Sequence, residues 1–269
     1  MRLPSLINSA SPIGIFDSGL GGLTVLKKIQ SLLPNEDYIY FGDTVHLPYG
    51  SKSNDCIIEY SEKIVNFLIS KNVKAIIIAC NSASSVAKDK IQNEYNIPIF
   101  EVISPAIEEA TKATKSNSIG VIGTEITINS RVYSKKILAT NENFHVMEIA
   151  CPLLVPIIEE GLEDSRILDE ITKLYLAPII NSKIDTLILG CTHYPIIKKQ
   201  LTRVLPDKIQ YITSGEPVGR WLKEYLIENN ILNTLNNGVV EFYVSDAPRK
   251  FQELGSKFLN NKITNVQLV

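Results

Sequence analysis

Two segments of the chain, residues 75–82 (AIIIACNS) and residues 186–193 (TLILGCTH), share one design. Each begins with a short run of mainly aliphatic residues and ends with a cysteine that polar residues follow at once. A short run rich in Ile and Leu that stops at a polar turn is typical of a buried parallel strand. The carboxyl ends of such strands are where open α/β sheets bind their ligands. The pair of segments therefore predicts two strands that bring Cys80 and Cys191 to one pocket.

Further apolar runs alternate along the chain with longer segments of helical periodicity, such as residues 56–68 and residues 167–180. This alternation predicts an α/β fold with mostly parallel sheets. The side chains that can cap the starts of these two helices are Ser51, Ser53, Asp164 and Ser165. The apolar runs predict strands at residues 13–16, 38–41, 75–79, 97–103, 119–122, 146–150, 186–189, 209–212 and 239–244.

The chain divides into two similar halves when the two cysteine strands are aligned. We therefore expect two similar α/β domains, with the active site in the cleft between them. The expected domains are residues 1–103 together with 214–269, which carry Asp17 and Cys80, and residues 104–213, which carry Cys191 and His193.

The composition is that of an ordinary globular protein of 269 residues, with 45% apolar residues and a net charge of −2. Without a dense run of Lys or Arg we expect neither a nucleic-acid nor a membrane partner, but a small-molecule substrate. Residues 1–5 do not begin a signal peptide, and no apolar stretch is long enough to span a bilayer, so we expect a cytoplasmic protein. The four cysteines lie far apart, which predicts neither disulfides nor a metal site.

A glycine-rich turn follows the apolar run of residues 13–16, in the stretch IGIFDSGLGG of residues 13–22. Backbone amides in such a turn can hold a carboxylate or a phosphate. A dinucleotide fingerprint needs a third glycine where Thr24 stands, and a phosphate loop needs a Gly-Lys-Ser/Thr sequence that is absent. The alternative is a helix start that Asp17 or Ser18 caps.

Small residues suited to starting a helix follow Cys80. A helix N-terminus lowers the pKa of a thiol because its unpaired N–H groups stabilise the thiolate. We therefore predict a lowered pKa for Cys80; the alternative is a buried and inert cysteine. We interpret Cys56 and Cys151 as structural.

Cys191 lies two residues before His193, close enough in sequence for the imidazole to exchange or orient protons. Of the three histidines, His193 is the best candidate for a general acid. His46 and His145 have no such neighbour, and we interpret them as structural.

Two thiols at one pocket favour a particular class of reaction. Inversion of a carbon acid needs one group that removes a proton from one face and a second group that delivers a proton to the other. A Cys-His hydrolase would need only one nucleophile and an oxyanion hole, which leaves the second cysteine without a role.

At these residues the chain resembles the cofactor-independent aspartate/glutamate racemase superfamily, and within it the glutamate racemases. The resemblance covers nearly the whole sequence and keeps the order and spacing of the family's motifs. Those motifs are DSGLGGLT at 17–24, PYG at 48–50, CN at 80–81, PIIEEG at 156–161 and GCTHYP at 190–195.

The resemblance implies that Cys80 and Cys191 are the two catalytic bases, on opposite faces of the α-carbon. It further implies that Asp17 assists Cys80, that His193 assists Cys191 and that Glu159 lies near the second thiol. The substrate-binding residues that it implies are Asp17, Ser18, Pro48, Tyr49, Gly50, Asn81, Ser82, Thr124, Thr192 and His193.

Ser82 stands where the family has Thr, and Thr127 is an alternative to Thr124 as the ligand. The implied activity is the interconversion of L-glutamate and D-glutamate without a cofactor, which supplies D-glutamate for peptidoglycan synthesis. Aspartate racemase and an inactive small-molecule-binding relative are the alternatives. A homodimer is the common state of soluble enzymes, and we expect one here.

Overall fold

The computed structural model describes residues 8–235 and 237–269 of the chain. Its strands are β1 (Ile13–Asp17), β2 (Tyr38–Gly42), β3 (Ala75–Ile78), β4 (Ile99–Glu101), β5 (Ser118–Gly123), β6 (His145–Ala150), β7 (Thr186–Gly190), β8 (Gln210–Ile212), β9 (Val240–Val244) and β10 (Val266–Leu268). They form a six-stranded sheet in the order β10-β9-β2-β1-β3-β4 and a four-stranded sheet in the order β6-β5-β7-β8. The strand pairs in both sheets run parallel. The predicted α/β fold with two similar parallel sheets is confirmed.

Helices connect the strands, and two short 3-10 turns at Tyr49–Ser51 and Tyr194–Ile197 lie beside the sheet edges. The helices are α1 (Leu23–Leu32), α2 (Asn54–Ser70), α3 (Asn81–Val86), α4 (Lys88–Glu94), α5 (Ile103–Ala113), α6 (Glu125–Asn129), α7 (Val132–Thr140), α8 (Leu154–Glu159), α9 (Arg166–Ile180), α10 (Lys198–Val204), α11 (Gly215–Glu228) and α12 (Pro248–Leu259).

Side chains on alternate residues of each strand enter different cores, as the two-residue repeat of a strand requires. In β1, Ile13 and Ile15 pack with α1, α11 and α12, whereas Phe16 packs with α2 on the other face of the sheet. The four-stranded sheet is covered on both faces in the same way, with Leu187 in one core and Ile188 in the other. Burial on both faces explains why these strands are continuous apolar runs in the sequence.

The predicted starts of α2 and α9 are confirmed. The hydroxyl of Ser53 accepts a hydrogen bond from the amide of Cys56, and that of Ser165 accepts one from the amide of Leu168. These bonds satisfy amides that the first turn of a helix leaves unpaired.

One predicted strand is shorter in the structure, and one strand of the structure has no counterpart among the predicted strands. The strand predicted at residues 97–103 is reduced to β4, because Ile103 already begins α5. The short strand β10 has the sequence VQL, which is too short for a sequence pattern, and it forms by pairing with β9.

The alternative of a helix start capped by Asp17 or Ser18 does not hold. Helix α1 begins five residues after Ser18, at Leu23, with Gly22 before it and no side-chain cap. Neither Asp17 nor Ser18 therefore caps α1.

The six-stranded sheet takes its strands from residues 13–101 and 240–268, and the four-stranded sheet takes its strands from residues 118–212. We propose the division into residues 1–103 with 214–269 and residues 104–213 on this basis. Residues 1–7 and residue 236 fall in the first of these domains and lie outside the described residues. No helix in the described part of the chain is both long and apolar enough to cross a membrane.

Candidate active site

A small cavity lies where the carboxyl ends of strands from both sheets meet. It leaves about 20 Å³ for the centres of water molecules, which is room for about one water. An amino acid can therefore enter only when the surrounding loops move apart. The cavity is lined by Ser18, Leu47, Pro48, Tyr49, Gly50, Cys80, Asn81, Ser82, Thr124, Val155, Cys191, Thr192 and His193.

Both cysteines that end the matched segments line this cavity, one from each sheet. Cys80 follows β3 of the six-stranded sheet, and Cys191 follows β7 of the four-stranded sheet. A neighbouring cleft of about 280 Å³ also contacts Cys191, but Cys80 does not line it. The prediction that the two thiols face one pocket is thus met in the smaller cavity.

Cys80 lies at the start of α3 and is buried. Its thiol donates to Oγ of Ser18 over 3.7 Å. Burial and the nearby carboxylate of Asp17 raise the pKa of the Cys80 thiol to about 12, although the amide of Ala83 and the hydroxyl of Ser18 act in the opposite direction. The expected lowering of the pKa at the helix start is therefore wrong, because desolvation of the charge outweighs the field of a six-residue helix. At neutral pH Cys80 is a neutral thiol that can donate a proton.

Cys191 contacts a buried ion pair. Its Sγ lies 3.9 Å from Nδ1 of His193, and Nε2 of the same ring lies 2.9 Å from Oε1 of Glu159. Burial alone would lower the pKa of His193, but the sulfur of Cys191 and the carboxylate of Glu159 together raise it to about 10. The imidazole is therefore protonated at neutral pH and provides a positive charge beside the Cys191 sulfur.

Asp17 lies behind the cavity wall instead of lining it. Its Oδ2 accepts from the amide of Gly19 over 3.0 Å, and its Oδ1 accepts from Oγ1 of Thr192 over 3.3 Å. Burial raises the pKa of Asp17, while the positive charge of His193 and these hydrogen bonds partly offset that effect. Asp17 thus acts on the cavity through its charge and through Thr192.

The glycine-rich turn after Asp17 packs against the motif around Cys191. A Cβ atom at Gly21 would lie 2.2 Å from Oγ1 of Thr192 and 2.5 Å from Nδ1 of His193. Oγ1 of Thr24 also donates to the carbonyl oxygen of Thr192 over 2.8 Å. The turn therefore needs glycine for close packing between the two sheets.

Three hydroxyl groups form a cluster on one side of the cavity. Oγ of Ser82 lies 2.9 Å from Oγ1 of Thr124, and Oγ1 of Thr124 lies 3.0 Å from Oγ1 of Thr127. Thr124 lines the cavity, whereas Thr127 does not. Of the two threonines, Thr124 therefore borders the cavity and Thr127 lies behind it.

Tyr49 lines the cavity, but its hydroxyl points to another partner. The hydroxyl donates to Oδ2 of Asp43 over 2.6 Å, and Asp43 also contacts Nδ1 of His46 at 2.9 Å and Oγ of Ser245 at 2.8 Å. This network fixes the loop that carries Gly50. A Cβ atom at Gly50 would lie 2.7 Å from Cβ of Thr124, so the loop closes directly on the hydroxyl cluster.

The other histidines and cysteines lie outside the cavity lining, in agreement with their structural interpretation. His46 is held by Asp43 and stacks on Tyr60 at a ring-centroid distance of 3.7 Å. His145 is exposed at the start of β6, Cys56 is partly buried and Cys151 is buried.

The structure places most predicted site residues at the cavity. Only Asp17 and Glu159 lie behind it, and each reaches it through a hydrogen-bonded neighbour. The sequence reasoning missed Leu47 and Val155 in the wall and Tyr133 behind it, because apolar and aromatic residues outside a motif carry no signal for a site.

The geometry can be compared with known proteins. A family model described as Asp/Glu/Hydantoin racemase matches residues 13–216. A glutamate racemase of Geobacter metallireducens is 42% identical over 258 residues, which cover 96% of each chain. The chain belongs to the Asp/Glu/Hydantoin racemase family.

Solved structures of this family superimpose over almost the whole chain. A glutamate racemase isoform of Bacillus anthracis matches with a TM-score of 0.93 and 35% identity, and a glutamate racemase of Francisella tularensis in complex with D-glutamate matches with a TM-score of 0.91 and 42% identity. Both comparisons cover 97% of this chain and 98% of the other. The racemase fold is therefore complete in the described residues, with both sheets in place.

Proposed function

We propose that this chain interconverts L-glutamate and D-glutamate by proton transfer at the α-carbon, without a cofactor. The observation that carries the proposal is the pair of buried thiols, one from each sheet, at a single cavity. The glutamate racemases among its relatives, one of them with bound D-glutamate, support glutamate as the substrate.

The two thiols have different neighbours. The imidazolium of His193 lies beside the sulfur of Cys191, whereas the raised pKa of Cys80 keeps the proton on that thiol. From this state the Cys191 sulfur removes the α-proton, the carbon holds the electron pair, and the Cys80 thiol returns a proton to the opposite face. The reverse direction begins from the opposite protonation state, so the two enantiomers require differently charged forms of the enzyme.

The carbanion needs stabilisation because an α-proton beside a carboxylate is very weakly acidic. Backbone amides at the strand-to-helix turns after Asp17, Cys80 and Cys191 supply it at the α-carboxylate in this proposal. The small cavity has room for only about one water, and this low water content strengthens the interactions. A substrate ammonium group near Asp17 would also offset the negative charge that now raises the pKa of Cys80.

Circular dichroism of L-glutamate and D-glutamate solutions, without added cofactor, tests the proposal. We expect both solutions to converge on zero ellipticity, and L-aspartate to remain almost unchanged. Cys56→Ser is the matched control, since Cys56 lies outside the cavity, and it should retain activity. Convergence of aspartate in place of glutamate would identify an aspartate racemase, and no change in any solution would identify an inactive relative.

The proposed product implies a role in peptidoglycan synthesis, which uses D-glutamate, and hence a cytoplasmic enzyme. The expected homodimer stays a prediction.

A further inference from the structure

Asn81 carries an unpaired acceptor beside the two thiols. It is buried at 2% exposure and lines the cavity. Its side-chain Oδ1 is buried and has no hydrogen-bond partner among the described residues. Buried polar atoms are almost always hydrogen-bonded, so an unpaired acceptor at the wall of a cavity indicates a donor that arrives with a ligand.

The other end of the same amide is fully occupied. Nδ2 of Asn81 donates to the hydroxyl oxygen of Tyr133 over 2.8 Å, and it lies 3.5 Å from Oγ of Ser214. Tyr133 belongs to α7 of the four-stranded sheet's core and is completely buried. Ser214 lies just before α11 and is also buried. These two hydroxyls therefore hold the Nδ2 end of the amide from outside the cavity.

We infer that Tyr133 is a positioning residue, which with Ser214 orients Asn81 so that its Oδ1 receives the ammonium group of the substrate. The inference rests on the proposed function and extends it to recognition of the amino group. An amide in the reverse orientation would present N–H groups to the cavity and would bind a carboxylate instead. With Nδ2 on the hydroxyl of Tyr133, Asn81 presents its Oδ1 to the cavity and recognises the positive charge of the amino acid.

A pair of ligands separates the ammonium group from the rest of the substrate. D-glutamate and glutarate carry the same two carboxylates, but glutarate has no ammonium group. Calorimetric titration of each ligand into the wild type, Tyr133→Phe and Tyr38→Phe isolates the role of the Tyr133 hydroxyl. Tyr38 is a matched control because it is equally buried, donates to the carbonyl oxygen of Leu33 over 2.7 Å and does not line the cavity.

We expect Tyr133→Phe to weaken D-glutamate binding about 5- to 10-fold and to leave glutarate binding unchanged. In kinetics, KM for glutamate should rise by the same factor with little change in kcat, because the ammonium contact persists from substrate to transition state. Tyr38→Phe should lower the melting temperature without changing the ratio of the two affinities. Ser214→Ala should show the same selective loss to a smaller extent, and it serves as the test if Tyr133→Phe does not fold.

Equal weakening of both ligands by Tyr133→Phe, or no weakening of either, would overturn the inference. Selective loss of glutarate would show that the amide has the reverse orientation. The titration needs no turnover, so it gives an answer even if the wild type does not racemise glutamate. Failure of the proposed function is then visible separately, in the dichroism assay of the wild type.

Discussion

At the scale of single residues, the site depends on two cysteines whose surroundings differ. Cys80 shares its surroundings with a carboxylate and keeps its proton, whereas Cys191 lies beside a protonated imidazole. Two thiols with identical surroundings would titrate alike, and neither would be set as the acid or as the base. In the proposed mechanism these different neighbours make Cys80 the acid and Cys191 the base in the free enzyme.

The first prediction concerns the pH dependence of catalysis. We expect a bell-shaped profile, because one thiol must be charged while the other is neutral. His193 is protonated below its pKa of about 10 and neutral above it, so activity should fall as the pH rises through that value. A rate that rises monotonically over the accessible pH range would contradict this scheme.

The variant Glu159→Gln tests the ion pair between His193 and Glu159. Its carboxylate helps to raise the pKa of His193, so its removal should move the alkaline limb to lower pH and reduce kcat/KM about 10-fold. Glu160→Gln is the matched control, because Glu160 is exposed and makes only a 3.7 Å ion pair with Lys250. An unchanged alkaline limb in Glu159→Gln would show that another group controls it.

A further prediction at this scale separates the roles of the two thiols. Cys80→Ser and Cys191→Ser should each reduce racemisation by about 10²- to 10⁴-fold, the range expected for loss of one acid-base group. Each variant should still eliminate a good leaving group from the β-carbon of one enantiomer of a glutamate analogue, since elimination needs only one base. Substantial racemisation by both variants would rule out the two-thiol mechanism.

At the scale of secondary structure, buried charges and hydrogen bonds fix the loops between elements. Asp185, just before β7, accepts from Oγ1 of Thr114 over 2.6 Å and from the amides of Lys115 and Ser116 over 2.8 and 2.7 Å. It thereby holds the turn between α5 and β5 at the amino end of the sheet, away from the cavity. Partial burial acts against the charge, but these hydrogen bonds outweigh it and lower the pKa of Asp185 to about 2.

Asp185→Asn should lower the free energy of unfolding by about 1–2 kcal/mol at pH 7. The lowered pKa means that the carboxylate stabilises the fold above its usual value of 3.8 and loses this effect as the pH falls through about 2. The difference between variant and wild type in denaturant titrations should therefore shrink over that acid range. A difference that stays constant down to pH 2 would show that the charge of Asp185 does not cause the loss of stability.

The elements that could be predicted from the sequence are those whose signal is local. The nine apolar runs became strands, and Ser53 and Ser165 cap their helices, because burial on both faces and capping leave marks within a few residues. Contacts between distant segments leave no local pattern in the sequence. The bond between Asn81 and Tyr133 joins residues 52 positions apart. The raised pKa of Cys80 comes first from its burial and then from the carboxylate of Asp17 on another strand.

At the scale of the whole molecule, the cavity lies between the two sheets, and each sheet contributes one of its cysteines. Helix α5 packs into the core of the four-stranded sheet and α11 into that of the six-stranded sheet, and the two helices also contact each other. The single tryptophan, Trp221, lies on α11 and donates from Nε1 to Oε2 of Glu108 on α5 over 2.9 Å. Its indole therefore reports the contact between α5 and α11.

We expect saturating D-glutamate to shift the emission of Trp221 to shorter wavelength, because a bound ligand stabilises the closed arrangement. Half-saturation should occur at the dissociation constant that calorimetry gives. Glu108→Ala should shift the emission to longer wavelength without ligand, because it removes the partner of the indole. Calorimetric binding without any change in emission would show that the α5–α11 contact does not respond to the ligand.

The order of strands has a consequence for synthesis on the ribosome. In the larger sheet, β2 pairs with β9, so Tyr38 lies opposite Val240, while the smaller sheet is complete by Ile212. A nascent chain can form the smaller sheet as soon as Ile212 has emerged. The edge of β2 that pairs with β9 has no partner until about two hundred residues after Tyr38 have emerged. Translation therefore leaves that edge open to nascent neighbours, and protection by a chaperone is most valuable during this interval.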